Sequence, residues 1–150
     1  MQLEFEMTFR ERLEGPLGPT ITAPARVVWQ IAEASLTGPR ISATLAMPGT
    51  DWIRLGGDGI RRQDQRAQFV TDDGVLILLR YDTGLIRGDT KFLAALENGD
   101  ETGFDDQYMF MAPQFEVAGE QYDWLTRSIF IAQGRLAGPK QIEYAVHRVA

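Results

Sequence analysis

The sequence contains no cysteine and only one histidine among its 150 residues. Without cysteine the chain has no disulfide, no thiolate metal ligand and no cysteine nucleophile. A Ser-His-Asp triad would have to use His147, and zinc sites built on several histidines are excluded. These two absences remove several common kinds of catalytic and metal site.

Positive charge is also scarce, because 15 lysine and arginine residues face 21 aspartate and glutamate residues and the net charge is −6. The sequence has no basic tract of the kind that binds nucleic acid or an anionic membrane. It also lacks an apolar run near the ~20 residues of a membrane-spanning helix, and its charged N-terminus does not resemble a signal peptide. We therefore expect a cytoplasmic protein without nucleic-acid or membrane partners.

Alternation of apolar and polar residues dominates the chain and predicts β-strands. In the first strand, every second residue from Leu3 to Phe9 is apolar. The sequence Asp72-Asp73-Gly74 lies between two strand patterns and predicts a hairpin, because Asp-Gly tolerates positive φ. An irregular connection after the first strand is predicted by three prolines, Pro16, Pro19 and Pro24.

One helix is predicted within this strand-rich pattern. Asp89 or Thr90 can cap its N-terminus, residues 91–96 form its body, and Gly99 fits the C′ position. Residues 119–127 form a connection with room for one helical turn. The remaining strands are expected at residues 26–36, 41–47, 52–55, 66–71, 75–82, 108–117, 128–133 and 141–149.

Eight or nine short strands with turn signals between them favour an all-β sandwich or an antiparallel barrel. A parallel sheet would need helices between the strands, and the sequence offers one. We favour a single calycin- or lipocalin-like antiparallel β-barrel domain over residues 1–150. A barrel leaves no edge strand and can enclose one small ligand.

Five short motifs, taken in order, resemble uncharacterised protein family 0311, also called domain of unknown function 3237. They are Asp51-Trp52, Asp58-Gly59, Thr71-Asp72-Asp73-Gly74, Pro113-Gln114-Phe115-Glu116 and Tyr122-Asp123-Trp124-Leu125. The resemblance covers most of the chain and implies a compact β-barrel that is often dimeric and has no assigned general activity. Three positions depart from the pattern, since that family usually has Gly-Gly at Glu33-Ala34, Arg at Met111 and Asn at Thr126.

Two carboxylates are the strongest catalytic candidates. Glu33 shares strand parity with Trp29 and Ile31, so it is predicted to face the interior. A carboxyl group buried among apolar side chains is favoured in its protonated form and can act as a general acid or base. Asp51 shares parity with Ile53 and is the second candidate. The alternatives are that a bulge or strand end leaves Glu33 in solvent, and that Asp51 only caps the turn before it.

Arg80 and Tyr108 are candidate donors to a substrate oxygen. Arg80 follows the apolar run Val75–Leu79, which predicts burial on both faces and therefore an anionic partner. That partner is either a structural carboxylate, Asp82 or Asp51, or a substrate anion. The Tyr108 hydroxyl could polarise a carbonyl, with a core aromatic as the alternative. Candidate substrate-binding residues are Trp29, Trp52, Met111 and Trp124, and ordinary packing is the alternative for the last two.

These residues favour an acid–base enzyme that needs no cofactor or metal, because the sequence has no nucleotide or metal motif. Proton transfer next to a carbonyl covers isomerases, lyases or hydratases, and cyclases. The expected substrate is a small, largely apolar or aromatic carbonyl compound held inside the barrel. The alternative is a non-catalytic carrier or sensor of similar ligands, and a third possibility is a packed barrel that acts through its surface. We also expect a homodimer, from the family resemblance and the apolar run Val75–Leu79.

Overall fold

The alternating segments form nine antiparallel strands. The computed structural model describes residues 1–22 and 25–150, and it describes the side chains of all residues except 19–25. The strands are β1 (Leu3–Thr22), β2 (Ala25–Gly38), β3 (Ile41–Leu55), β4 (Arg61–Thr71), β5 (Leu76–Arg87), β6 (Tyr108–Met111), β7 (Gln114–Val117), β8 (Phe130–Gly138) and β9 (Gln141–Val149). Helix α1 (Thr90–Asn98) and two short 3-10 helices, Phe104–Asp106 and Glu120–Leu125, lie in the connections.

Eight of the strands close into a barrel. They follow the order β4-β3-β2-β1-β9-β8-β6-β5, and the pairing of β5 with β4 completes the ring. The extra strand β7 pairs with β5 at residues 77–80, whereas β6 pairs with β5 at residues 85–87. The predicted antiparallel barrel of eight or nine strands with one short helix is confirmed.

The local turn and cap predictions are also confirmed. The Asp89 carboxylate accepts a hydrogen bond from the Phe92 backbone N–H at 3.0 Å, which caps α1, and Gly99 takes the left-handed conformation at its end, with φ 73°. Gly74 has φ 85° in the hairpin between β4 and β5. The short 3-10 helix Glu120–Leu125 is the helical turn expected in residues 119–127. In residues 1–22 and 25–150 no helix has the length and apolarity that crossing a membrane requires.

The irregular connection predicted from the prolines is wrong for the residues that the structure describes. Strand β1 continues through Pro16 to Thr22, although its register with β2 shifts after Arg12 and again after Glu14. Its pairing with β9 ends at Arg12, so beyond that point β1 has one hydrogen-bonded neighbour. A proline nitrogen, which cannot donate, is tolerated on such an unpaired side. Pro24 and the side chain of Pro19 lie outside the described residues.

The core fills the barrel around Phe9, which is fully buried on β1. Its ring stacks on Tyr144 with centroids 5.8 Å apart and meets Phe69 edge-on at 5.9 Å. Phe5 lies on the same strand but is 50% exposed, because the β1–β9 register shifts between Phe5 and Met7. The shift turns Phe5 outward while Met7 and Phe9 face the core.

These two phenylalanines give a matched test of the barrel core. Phe9→Ala should lower the free energy of unfolding by about 3–5 kcal/mol, since it removes a fully buried ring and leaves a cavity. Phe5→Ala should cost about 1 kcal/mol or less, because half of its ring is already in water. Urea denaturation of both variants measures the difference, and equal losses would contradict the assigned burial.

Candidate functional site

Polar side chains interrupt the apolar rows that face the barrel interior. Glu11 follows Phe9 in the inward row of β1, and Asp51 precedes Ile53 in that of β3. Four more polar side chains come from β4, β5 and β9, and all six are at most 2% exposed. We call this set the polar layer; its members are Glu11, Asp51, Gln63, Gln65, Tyr81 and Tyr144.

Hydrogen bonds join the polar layer into two chains of the same composition. In the first, the Tyr81 hydroxyl donates to Gln65 Oε1 at 2.5 Å, and Gln65 Nε2 donates to Glu11 Oε2 at 2.7 Å. In the second, the Tyr144 hydroxyl donates to Gln63 Oε1 at 3.1 Å, and Gln63 Nε2 donates to Asp51 Oδ2 at 2.9 Å. Each chain therefore ends on one oxygen of a buried carboxyl group.

The second oxygen of each carboxyl group has no hydrogen-bond partner among the described residues. These atoms are Glu11 Oε1 and Asp51 Oδ1, both fully buried. A buried polar atom normally has a partner, so an atom without one marks a place where a proton or a ligand can be held. Over the same residues, no three His, Cys, Asp or Glu side chains are grouped as metal ligands would be.

Burial changes the acidity of both carboxyl groups. It raises the pKa of Glu11 to about 8, with a further upward contribution from the charge of Asp51 and a smaller downward one from the Gln65 hydrogen bond. It raises the pKa of Asp51 to about 7, against the hydrogen bond from Gln63. Near neutral pH the pair can therefore hold one proton and lack the other, which equips it as both acid and base.

Two glycines make room for the polar layer. A Cβ at Gly134 would lie 2.6 Å from Cε1 of the Tyr144 ring and 2.4 Å from the Met109 sulfur. A Cβ at Gly84 would lie 2.7 Å from Cβ of Gln63 and 2.9 Å from the Tyr81 ring. All four distances are shorter than packed atoms allow. The glycines at position 84 of β5 and position 134 of β8 therefore leave the space that the rings of Tyr81 and Tyr144 occupy.

A cavity of about 240 Å³ lies at the end of the barrel that α1 covers. Phe92, Ala95 and Leu96 of α1 line it from above, and mostly apolar side chains from the strands line the rest, with Arg61, Lys140 and Gln141 as the polar exceptions. Two of the lining residues follow members of the polar layer on the same inward-facing row. Leu13 lies two positions after Glu11 on β1, and Ile53 lies two positions after Asp51 on β3. Two residues span about 7 Å along a strand, so the polar layer lies one inward-facing position deeper in the barrel than these lining residues, and none of its six members lines the cavity itself.

The predicted inward position of Asp51 is confirmed, since this residue is fully buried. The predicted inward position of Glu33 is wrong. Its side chain is 74% exposed and contacts Arg12, with Oε2 3.3 Å from Nε. Between the pairs Arg12–Glu33 and Leu13–Ile31, β2 contains one extra residue, Ala32, and this bulge reverses the alternation.

Arg80 and Tyr108 also lie on the outside of the barrel, so the predicted interior donors are wrong in position. Trp52, predicted as a substrate-binding residue, is exposed on the outside as well. The inward row of β5 is Ile77, Leu79 and Tyr81, which places Arg80 on the solvent side without an ion pair among the described residues. The Tyr108 ring packs against Phe110 at 4.7 Å between centroids, and Arg87 covers it.

The remaining predicted binding residues fall into different environments. Trp29 is half-buried and lines the cavity, in agreement with its predicted orientation. Met111 is buried in the core, and Trp124 packs edge-on against Phe130 at 6.0 Å beneath the Arg40 guanidinium. Whether any of these residues contacts a substrate stays a prediction.

Sequence reasoning missed five members of the polar layer, although each carries a detectable signal. Each stands on a strand and has a buried residue two positions away on at least one side. Glu11 lies between Phe9 and Leu13, and Tyr144 lies between Ile142 and Val146. A polar residue in an apolar row points inward as firmly as its neighbours do.

The fold and the buried acid pair define a class of protein: a small closed antiparallel barrel with a ligand-sized cavity above two carboxyl groups. Residues 1–149 match the model of the family described as "Protein of unknown function (DUF3237)", and the chain belongs to that family. The sequence resemblance and the expected barrel are thereby confirmed. No protein of curated function matches the sequence.

Solved structures share this barrel at low sequence identity. A conserved protein of unknown function from Rhodopseudomonas palustris has a TM-score of 0.88 at 20% identity, over 99% of this chain and 97% of that one. A beta-barrel like protein from Acinetobacter baumannii AYE has a TM-score of 0.79 at 26% identity, over 99% and 96%. An enzyme from Penicillium herquei has a TM-score of 0.65 at 20% identity, also over 99% and 96%.

The raised pKa values predict how stability depends on pH. The folded protein holds protons on Glu11 and Asp51 that the unfolded chain releases near pH 4 to 4.5. The free energy of unfolding should therefore fall as pH rises from about 4.5 to about 8, by up to ~1.4 kcal/mol per pH unit for each titrating group. Glu11→Gln should make this slope shallower in urea denaturation measured across the window.

Glu33→Gln is the matched control, because this glutamate is exposed. It should leave the slope unchanged. Burial alone would raise the pKa of Glu6 and Glu143, but their arginine partners lower it below the usual value. The titration of Glu6 and Glu143 therefore changes the free energy of unfolding only below about pH 4.5. If the free energy of unfolding depends on pH equally in the wild-type protein and in Glu11→Gln, Glu11 is not buried in its protonated form.

Proposed function

We propose that the protein is an acid–base enzyme in which Glu11 and Asp51 move a proton on a small, largely apolar carbonyl compound that binds in the cavity and extends its carbonyl end inward to the polar layer. The observation that carries this proposal is the pair of buried carboxyl groups, each with one oxygen free of protein hydrogen bonds. The reaction class is isomerisation, elimination or hydration, or cyclisation, all of which pass through proton transfer beside a carbonyl.

The two carboxyl groups are suited to different halves of such a step. Asp51 as a carboxylate accepts a proton from the carbon next to the carbonyl at Oδ1. Glu11, which holds its proton more tightly, donates from Oε1 to the carbonyl oxygen, so that an enol forms without a free charge. Asp51 then gives its proton back to carbon while Glu11 takes the proton of the enol oxygen, which restores both groups. Where the enol is conjugated with a neighbouring double bond, protonation at the far carbon of that system completes an isomerisation. Water exclusion by the apolar cavity strengthens both interactions.

The hydrogen-bonded amides hold the acids in place for this chemistry. Gln65 and Gln63 each bind one carboxyl oxygen and are themselves oriented by a tyrosine hydroxyl. A carboxyl group held in this way needs little rearrangement at the moment of proton transfer. The description of the Penicillium herquei relative as an enzyme shows that a similar barrel can host catalysis.

Hydrogen–deuterium exchange tests the proton transfer without knowledge of the natural substrate. In D₂O near neutral pD, the protein should accelerate exchange of the protons beside the carbonyl of phenylacetone, which ¹H NMR follows directly. Glu11→Gln and Asp51→Asn should each slow the catalysed exchange by about 10²–10⁴, the usual contribution of a positioned acid or base.

Glu33→Gln serves as the control and should exchange at the wild-type rate, because Glu33 lies on the outer surface. Circular dichroism and thermal melting show whether each variant is folded. Wild-type exchange rates in folded Glu11→Gln and Asp51→Asn proteins would overturn the catalytic assignment.

A non-catalytic carrier or sensor is the second candidate. The observation that favours it is the apolar character of the cavity, which no carboxyl side chain of the described residues lines. A carrier would bind phenylacetone without accelerating its exchange. Binding measured by the fluorescence of Trp29, together with the exchange rate, therefore separates the two functions.

We also propose that the protein forms a homodimer through the outer faces of β3 and β5. Leu76 and Leu78 on β5 are 53% and 41% exposed, which corrects the expectation that both faces of this strand are buried within one chain. Met47 on β3 is exposed beside them and lines the same surface groove as Leu78. Exposed apolar patches of this kind often mark association surfaces.

Leu76→Lys with Leu78→Lys should convert a dimer into a species of 16.8 kDa, the mass of one chain, in sedimentation velocity. The charges would have to be buried without partners in the interface. Leu93→Lys, an exposed leucine on α1, should leave the dimer intact. A wild-type protein that sediments as a single chain at every workable concentration would rule the dimer out.

A further inference from the structure

The charges around the cavity have one sign, although the chain as a whole is acidic. Its lining is apolar except for Arg61, Lys140 and Gln141. No aspartate or glutamate among the described residues lines it, whereas the whole chain carries a net charge of −6. Two cationic side chains at the cavity would not stabilise the binding of a purely apolar ligand.

Arg61 begins the inward row of β4 that continues with Gln63 and Gln65. Its side chain is half-buried at the mouth of the cavity and forms no ion pair within the described residues. The next residue, Arg62, faces outward and pairs with Asp58 at 2.8 Å. A guanidinium removed from water without an anion is unfavourable, so the position of Arg61 suits a ligand that brings the anion.

Lys140 reaches the same cavity from the turn between β8 and β9. Its φ is 55°, a left-handed conformation that few residues other than glycine adopt. Its carbonyl oxygen accepts a hydrogen bond from the Leu13 backbone N–H at 2.7 Å, which fixes the turn against β1. The backbone therefore holds Lys140, whose side chain is exposed, beside the cavity.

We propose that the cavity binds an apolar monocarboxylate, with the carboxylate held by Arg61 and Lys140 and the apolar body directed toward the polar layer. A cavity of 150 Å³ accommodates benzene, so one of about 240 Å³ accommodates about ten non-hydrogen atoms. This proposal rests on the proposed function only for the reaction at the inner end of the ligand. The binding of the carboxylate does not depend on that reaction. The orientation follows from desolvation, since the anion stays at the rim and the uncharged part enters.

A matched pair of small probes tests the charge preference directly. 4-Fluorophenylacetate and its neutral isostere 4-fluorophenylacetamide differ in charge but hardly in size. In ¹⁹F NMR titrations near neutral pH, the wild-type protein should bind the acid at least about tenfold more tightly than the amide. Arg61→Gln should weaken binding of the acid by about tenfold and leave that of the amide unchanged.

Arg66→Gln is the control, because it removes the same charge from the outer face of the same strand. It should leave both affinities unchanged. Equal binding of acid and amide by the wild-type protein, no binding of either, or an equal loss in the Arg66 variant would each overturn the proposal.

The outcome is independent of catalysis. Glu11→Gln should retain the preference for the acid, because Glu11 lies beneath the cavity and away from its mouth. Loss of proton exchange in Glu11→Gln with a retained anion preference supports both proposals. Unchanged exchange with a retained preference overturns the enzyme and leaves the anion site standing.

Discussion

The hydrogen-bonded acids at the centre of the barrel are the constraint on which the rest of the structure depends. Glu11 and Asp51 lie among apolar side chains, where a carboxyl group without partners would be strongly unfavourable. Gln65 and Gln63 satisfy one oxygen of each. The Gln65–Glu11 contact joins β4 to β1 across the barrel interior, and the Gln63–Asp51 contact joins the neighbouring strands β4 and β3. A slip of one residue in any of these strands would break a chain and turn its members to the outside. The polar layer thus specifies the strand register more narrowly than an apolar core could.

Much of the fold could be predicted from the sequence because its signals are local. Strand alternation, the Asp72-Asp73-Gly74 hairpin and the caps of α1 each depend on a few neighbouring residues. The orientation of Glu33 depends instead on Ala32, whose extra place in β2 becomes visible only opposite β1. Glu11 is hard to predict for another reason: polar residues are expected to face water, and the apolar alternation that predicts β1 ends at Phe9. The alternating pattern of β1 can be read from the sequence. The cavity near Glu11 cannot, because it forms only when distant strands and α1 come together.

Charges at the two ends of the barrel are arranged differently. At the end away from α1, Glu6 is buried and accepts hydrogen bonds from Arg40 at 2.7 Å and from Arg148 at 2.9 Å, and Arg40 also covers Trp124. Charges there are neutralised within the chain, which closes that end without need of a ligand. At the end beneath α1, Arg61 has no such partner in the described residues. The contrast assigns a structural role to one end and leaves the other available for recognition.

Helix α1 is the shortest barrier between the proposed ligand cavity and solvent. The hydrogen-bond ladder of the eight strands is continuous, so passage through the wall would break several backbone pairs at once. By contrast, α1 has nine residues, of which Phe92 and Ala95 are buried, and a helix of this length is marginal by itself. Its local detachment requires far less free energy than opening the barrel. In the binding function proposed above, the residence time of the ligand would therefore depend on a short surface helix, while the acids beneath it belong to the hydrogen-bonded barrel.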